Sequence, residues 1–417
     1  METELDSSMH ILVVTQYFWP ENFRINDLVE ELILRGHQVA VLTGVPNYPS
    51  GKLDGGYKAN PEKYSTYKGA DIFRVPILLR GNHKLMLALN YISFAIIASI
   101  VGVFKLRNKK FDVIFVFEPS PITVGVPAIL LRWLKKAPLV FWVLDLWPDT
   151  LKALGVRSKV ILKAVGLLVS FVYQNCDLIL GQAKSFVNSI QGRSINKQVK
   201  YFPSWAEPIF NSALLVDGGK VSQDYFNVMF AGNIGEAQDF PAIVDAAEIL
   251  NNEDYIHWTI VGNGRMYAWL KDEIYRRGLE DKFTLAGRHD VEMMPTFFNS
   301  ADLLLVTLKD EPVFSMTIPG KLQAYLQTGK PIVTMLNGEG AQIVAESGCG
   351  ITCRAGDSAG LAKAVRRLSK MSESERNIMG QCGIDYSKRE FDRIMLINRL
   401  ENWMGQLSEN GIGSVVK

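Results

Sequence analysis

Thr317-Ile-Pro-Gly-Lys-Leu-Gln-Ala-Tyr-Leu-Gln-Thr-Gly-Lys-Pro-Ile-Val333 is the stretch on which the reading of this chain turns. An apolar run, Ala301-Asp-Leu-Leu-Leu-Val-Thr-Leu308, precedes it, and Pro331-Ile-Val-Thr-Met335 closes it. The order is strand, irregular loop, helix, strand. Pro319 and Gly320 open the helix, and Lys321 stands in its first turn. A helix N-terminus offers unpaired N–H groups and partial positive charge, so a lysine there is disfavoured unless an anion is near. Two readings follow: a cradle for a nucleotide diphosphate, or an ordinary helix start with a solvated lysine.

The surroundings favour the cradle. Val228-Met-Phe-Ala-Gly-Asn-Ile-Gly235, Trp258-Thr-Ile-Val-Gly-Asn-Gly264 and Phe283-Thr-Leu-Ala-Gly-Arg288 are each an apolar run closed by glycine. A helical pattern follows each, such as Phe240 to Leu250. Strands alternating with helices predict a parallel, doubly wound sheet, whose ligands bind outside the C-terminal strand ends. The amino half repeats the alternation, with strands over Ile11–Thr15, Gln38–Leu42, Val113–Phe117 and Leu139–Leu144, and a helix over Asn26–Arg35. Its strand-end loops are Gln16 to Arg24, Glu118-Pro-Ser-Pro121 and Asp145-Leu-Trp-Pro-Asp149. The glycine- and proline-rich segment Thr43 to Lys63 is long enough to be functional, and it should lie beside the Pro20–Arg24 loop.

At 417 residues the chain holds two domains of about 200 residues each. The proline-rich connector Tyr201 to Pro208 marks the junction. The expected division is 9–204, 205–385 and a final helical segment, 386–417. A net charge of +2, without basic runs interleaved with aromatics, argues against a nucleic-acid partner. Cys176, Cys349, Cys353 and Cys382 fit neither a zinc pair nor a secreted disulfide framework, which points to a reduced, cytoplasmic compartment. Five scattered histidines predict no metal site. The polar, acidic opening up to Ser8 lacks a signal-peptide core, and Met9 is the expected native start.

These elements together resemble the family-four retaining glycosyltransferases of the GT-B fold, nearest to the O-antigen, capsule and colanic acid subgroup of N-acetyl-L-fucosamine transferases. The shared marks are Phe18-Trp-Pro-Glu-Asn22, Pro46-Asn-Tyr-Pro-Ser-Gly51, Asp145-Leu-Trp-Pro-Asp149 and Pro319-Gly-Lys-Leu-Gln-Ala-Tyr325. The resemblance implies two Rossmann-like domains facing a cleft, with the acceptor on the first, a UDP-sugar on the second, and the last helix crossing back to the first. It implies transfer to a lipid-pyrophosphate-linked saccharide, retaining and metal-independent, with no cofactor beyond the UDP-sugar substrate. The chain departs from the pattern where the family's paired glutamates fall on Met316 and Ala324, and where its arginine falls on Asn233. Asp145 stands where the family has a histidine. Asp145 and Lys321 are the expected catalytic pair. Asn233, Gly235, Gly287, Arg288, Asp310, Glu311, Pro319 and Gly320 are expected at the donor. Asn22, Arg24, Glu118 and Trp147 are expected at the acceptor. A nucleotide-sugar epimerase and a non-catalytic sugar-binding protein stay open as alternatives; a dinucleotide oxidoreductase is opposed by the lack of GxGxxG after the first strand.

Leu85 to Phe104 is an apolar run long enough to span a bilayer, flanked by basic residues. A true span would tear the sheet, which leaves a core helix or a helix lying on an anionic membrane surface. With Lys159 to Tyr173 it gives the first domain apolar and basic character, so a peripheral position on the inner face of the cytoplasmic membrane is expected.

Overall fold

Apolar runs too short for helices become the strands of two sheets. The computed structural model describes residues 8–81, 83–153, 155–210 and 225–410. The acidic opening over residues 1–7 lies outside them. The chain forms two compact units: Met1–Pro203 with Ile394–Lys417, and Ser204–Arg393.

The first unit carries β1 (His10–Val14), β2 (Gln38–Gly44), β3 (Thr66–Tyr67), β4 (Ala70–Val75), β5 (Val113–Glu118), β6 (Leu139–Val143), β7 (Leu178–Gly181) and β8 (Gln198–Tyr201). They lie in the order β3-β4-β2-β1-β5-β6-β7-β8, parallel except for β3. β1, β5 and β6 are almost wholly buried, as strands covered on both faces must be. The chain winds one way from β1 to β4 and the other way from β5 to β8, so a topological switch point lies between β1 and β5.

The second unit carries β9 (Phe226–Ala231), β10 (Ile256–Val261), β11 (Phe283–Gly287), β12 (Leu303–Thr307), β13 (Ile332–Met335) and β14 (Gly350–Cys353), in the order β11-β10-β9-β12-β13-β14. All pairs are parallel. Its switch point lies between β9 and β12, which pair only over Leu303–Val228 and Leu304–Met229 before parting.

Element ends differ from the sequence reading. The first helix is Arg24–Leu34, beginning two residues early with Phe23 at its cap, so Asn22 does not cap it. In place of one final helical segment over 386–417, the described residues form two helices, Glu373–Glu390 and Arg393–Asn410, broken at Phe391 and Asp392. The first belongs to the second unit, where Gly380 abuts the Gly329 backbone; the other belongs to the first unit, where Glu401 bonds Arg35 and His37. The apolar run forms the Lys84–Ile97 helix, a π turn over Ala98–Gly102 and the Val103–Leu106 helix. One side packs on the sheet: Phe94, Ala98 and Leu106 are fully buried, and a Cβ on Gly102 would stand 2.8 Å from Leu42.

Candidate functional site

In the second unit the glycine turns after β9 and β10 are stapled side by side. Gly232 N–H donates to Val261 O at 2.9 Å, and Ile234 N–H to Asn263 O at 2.9 Å. Gly262 N–H donates to Gly287 O at 2.7 Å. Gly235 is expected at the donor, but a Cβ there would meet only the Asn233 side chain. The residues that demand glycine are Gly262, whose Cβ would stand 1.9 Å from Gly232 O, and Gly264, 2.3 Å from Ile234 O. Both were missed because their constraint comes from a neighbouring strand.

Where β9 and β12 part, two side chains of the Gly320–Leu326 helix fill the gap. The buried Tyr325 hydroxyl accepts from Ala231 N–H at 2.9 Å and donates to Ala231 O at 3.2 Å. The Lys321 ammonium lies 3.6 Å from the centre of the Phe230 ring and donates to Gln238 Oε1 at 2.7 Å. The Gln238 loop is itself pinned to the end of β12, by Thr307 to Gln238 O and by Lys309 N–H to Ala237 O at 2.9 Å. Burial alone pulls the Lys321 amine down to about 7. Lys321 is therefore no solvated lysine. The helix has only seven residues, so its dipole is small and the amine itself is the cationic element.

The other expected donor residues spread along the strand ends. Asn233 is exposed in the β9 turn. Gly287 adopts φ +77°, open to glycine, and Arg288 beside it is exposed. β11 is the edge strand of this sheet, two strands from β9, and Arg288 follows it. Lys309, exposed at the end of β12, is tied to the Gln238 loop through its backbone N–H and was not among the expected residues. Asp310 accepts from Asn337 at 2.8 Å, Glu311 caps a short helix, and Pro319 and Gly320 open the Lys321 helix.

In the first unit the loops after β1, β5 and β6 each contain a cis X–Pro bond. Glu21 knots the first loop to the long glycine-rich one. Its carboxylate accepts from Phe18, Asn47 and Tyr48 N–H at 3.2, 2.7 and 2.6 Å. The buried Arg74 binds Gly44 O at 3.1 Å and Trp19 O. Asn22 is exposed in this loop, and Arg24, partly buried, opens the first helix.

Asp145 follows β6 and is partly buried. Burial pushes its carboxyl up, while the Thr150 and Ser120 hydroxyls that bond it pull the other way. Ser120 also bonds Tyr91, and Tyr91 bonds Tyr17. Ser120 sits at φ +153°, a conformation that L side chains rarely adopt and that tends to occur at functional sites. The Arg80 guanidinium lies 4.9 Å over Tyr48 and acts electrostatically on Tyr17 and Tyr91. Tyr17, Arg80, Tyr91 and Ser120 were missed, because no local motif links four residues on four segments.

Two expected acceptor contacts are corrected. Glu118 is fully buried, so it cannot touch an acceptor; it lies beneath Asp145 and accepts from Asp145 N–H at 3.4 Å. Burial, then the Asp145 charge, pushes its carboxyl well above the usual range. Trp147 is also buried, 8% exposed and edge-to-face with Tyr91 at 6.4 Å, so little of its ring is open to a sugar.

Residues 22–205 match the family described as "Glycosyl transferase 4-like domain", and residues 225–371 match "Glycosyl transferases group 1". Together the matches span most of both units. The chain belongs to the group 1 glycosyltransferases. This transferase is 26% identical over 345 residues to WcaI of Escherichia coli (strain K12), named as a colanic acid biosynthesis glycosyl transferase, covering 77% of this chain and 82% of WcaI. Its fold is similar to Anabaena Alr3699/HepE in complex with UDP, with TM-score 0.67 and 14% identity over 96% of this chain and 100% of that one. It is similar to WaaG, a glycosyltransferase involved in lipopolysaccharide biosynthesis, with TM-score 0.67 and 13% identity over 95% and 99% of the two chains. Both likenesses bear on fold alone: the GT-B architecture of two parallel-sheet, Rossmann-like domains.

Proposed function

We propose that this glycosyltransferase moves a sugar from a UDP-sugar to a saccharide held on a lipid pyrophosphate, in the synthesis of a surface polysaccharide. N-acetyl-L-fucosamine or a related deoxy-amino sugar is the group transferred. The reaction retains anomeric configuration and needs no metal. The Lys321 ammonium carries the donor half of this reading: it sits at the switch point of the second unit with a neutral amide as its hydrogen-bond partner. A diphosphate beside it would supply the missing counter-charge and hold the amine protonated. As the sugar leaves, negative charge grows on the diphosphate, and a preorganised ammonium in a sheltered place stabilises it. UDP in HepE and the colanic acid role in the name of WcaI support the donor base and the product class. In the first unit Asp145, kept in place by Ser120 and Thr150, orients or deprotonates the acceptor hydroxyl.

A thermal-shift series with UDP, GDP, ADP and their sugars reads the donor base. Stabilisation by UDP that Lys321→Met abolishes is the expected result. Incubation with a lipid-pyrophosphate saccharide then separates transfer from isomerisation, because donor should be consumed only with acceptor present. The anomeric coupling constant of the product reads retention. Binding of nicotinamide dinucleotides alone, or conversion of the donor without acceptor, would overturn the reading.

A further inference from the structure

We infer that the first unit docks on an anionic lipid bilayer through one face built by three helices, with Lys84–Ile97 at its centre. That helix is inverted for a soluble protein. Its polar residues point inward: Asn90 is 0% exposed, accepts from Gln16 at 2.6 Å and donates to Leu78 O at 2.6 Å. Ser93 is buried against Leu78 N–H. Phe94 and Ala95 join them on the inner side, yet the outward side of the run is apolar too. Leu85, Leu89, Ile92, Ile96, Ile100 and Phe104 recur at steps of three or four and are all exposed, Ile96 by 55% and Phe104 by 65%. Leu85–Leu106 is long and apolar enough to cross a membrane by length and composition, yet its inner side is built into the sheet, so it is not free to span.

Two neighbouring helices carry exposed apolar residues as well. The Gly125–Lys135 helix packs against Lys84–Ile97 and shows Trp133 and Leu134; the Lys159–Gln174 helix packs next and shows Val160, 78% exposed, with Ile161 and Leu167. A patch built on three helices exceeds what scattered surface residues require and marks an interaction surface.

Charge identifies the occupant. Residues 72–111, 119–144 and 150–176, which contain these helices, hold seven, three and four lysines or arginines and no aspartate or glutamate. The whole chain is nearly balanced, at 45 basic to 43 acidic, so the bias is local. Arg107, Lys110, Lys136, Arg157, Lys159 and Lys163 are exposed around the face. A second copy seated on it by two-fold symmetry would set cation against cation. An anionic bilayer satisfies both the apolar centre and the basic rim. The docked transferase is peripheral at the inner face of the cytoplasmic membrane. The inward side of the same helix holds Tyr91 against Ser120, so bilayer and acceptor loops lie on opposite sides of one element. On the acceptor reading proposed above, the diphosphate of a membrane-held acceptor would arrive near Arg80, just before this helix.

Co-sedimentation with vesicles tests the surface directly. Binding to phosphatidylglycerol-rich vesicles at low salt, weak binding to pure phosphatidylcholine and release by high salt are expected. Lys159→Gln and Lys163→Gln should each weaken partition roughly fivefold. Ile96→Ser with Phe104→Ser should abolish it, while unfolding stays cooperative and UDP still stabilises the second unit. UDP stabilisation is read separately, so failure of the donor reading would not be mistaken for failure of the surface. Absence of binding at low salt, or binding indifferent to lipid charge and to these variants, overturns the proposal. Retention through both salt and carbonate washes overturns it in favour of deep insertion. A dimer that forms with concentration and is abolished by the Ile96 and Phe104 changes overturns it in favour of a second copy.

Discussion

Lys321 shows how one side chain can be held ready for an anion at a cost to the free protein. Its amine titrates near 7 in the fold and at its ordinary 10.5 when unfolded. Between those values the unfolded chain binds more protons, so stability should rise with pH, by up to about 1.4 kcal/mol per pH unit from this group. Lys321→Met should flatten that rise and raise the melting temperature near pH 7, while removing UDP binding. A bound diphosphate raises the amine's pKa, so binding above pH 7 takes up a proton. UDP affinity should fall from pH 7 to 9, and calorimetry in two buffers of different ionisation enthalpy would show the proton uptake. An affinity flat with pH would remove Lys321 from the diphosphate. In the first unit Glu118 carries the opposite shift. Its raised carboxyl favours the fold fully below the ordinary carboxylate range and loses that contribution as pH climbs. Glu118→Gln should therefore melt at or above wild type at pH 7, whereas Glu118→Ala, which leaves a hole under Asp145, should melt lower. Asp145→Asn should keep the fold and UDP binding but slow transfer by about 10²-fold or more; Ser120→Ala should give a smaller loss of the same kind.

At the scale of elements, the parting of β9 and β12 is the feature that makes a site. Strands that stayed paired to their ends would leave no room for Lys321 or Tyr325. The Tyr325 hydroxyl satisfies the Ala231 backbone that β12 no longer reaches. Tyr325→Phe should leave those buried groups unpaired, costing about 1–3 kcal/mol in urea unfolding, and should weaken UDP binding by loosening the Gly232 turn. An unchanged unfolding midpoint would show that water replaces the hydroxyl without cost.

At the scale of the whole molecule, the nearly balanced charge hides a first unit whose apolar three-helix face is rimmed by basic residues. The chain's last helix completes that unit. Glu401 binds Arg35 at 2.7 Å and His37 at 2.6 Å, and these partners, His37 foremost, hold its carboxyl below the usual range despite partial burial. Stability from this knot is present above the ordinary carboxylate pKa and is lost as pH falls through the depressed one. Glu401→Gln should lower the unfolding free energy of the first unit by about 1–3 kcal/mol at pH 7. The gap from wild type should close in acid, as followed by thermal denaturation across pH. A constant gap would assign the effect to packing.

The sequence alone determined the periodic features: strands, helices, glycine-closed turns, the proline-rich connector and the apolar segment. These follow from side-chain spacing and backbone preference within a few residues. It also marked Asp145 and Lys321, because a carboxylate ending an apolar strand and a lysine opening a helix both break a local rule. Tertiary structure decided what those residues touch. Glu118 and Trp147 read as strand-end candidates, but neighbouring segments bury them. Gly262 and Gly264 matter because the next turn lies against them, and Arg80, Tyr17, Tyr91 and Ser120 meet only after four segments converge. The outward face of the Lys84–Ile97 helix could not be read from its run of apolar residues, since burial is a property of neighbours. Only the packed sheet shows that Asn90 turns inward and Ile96 outward.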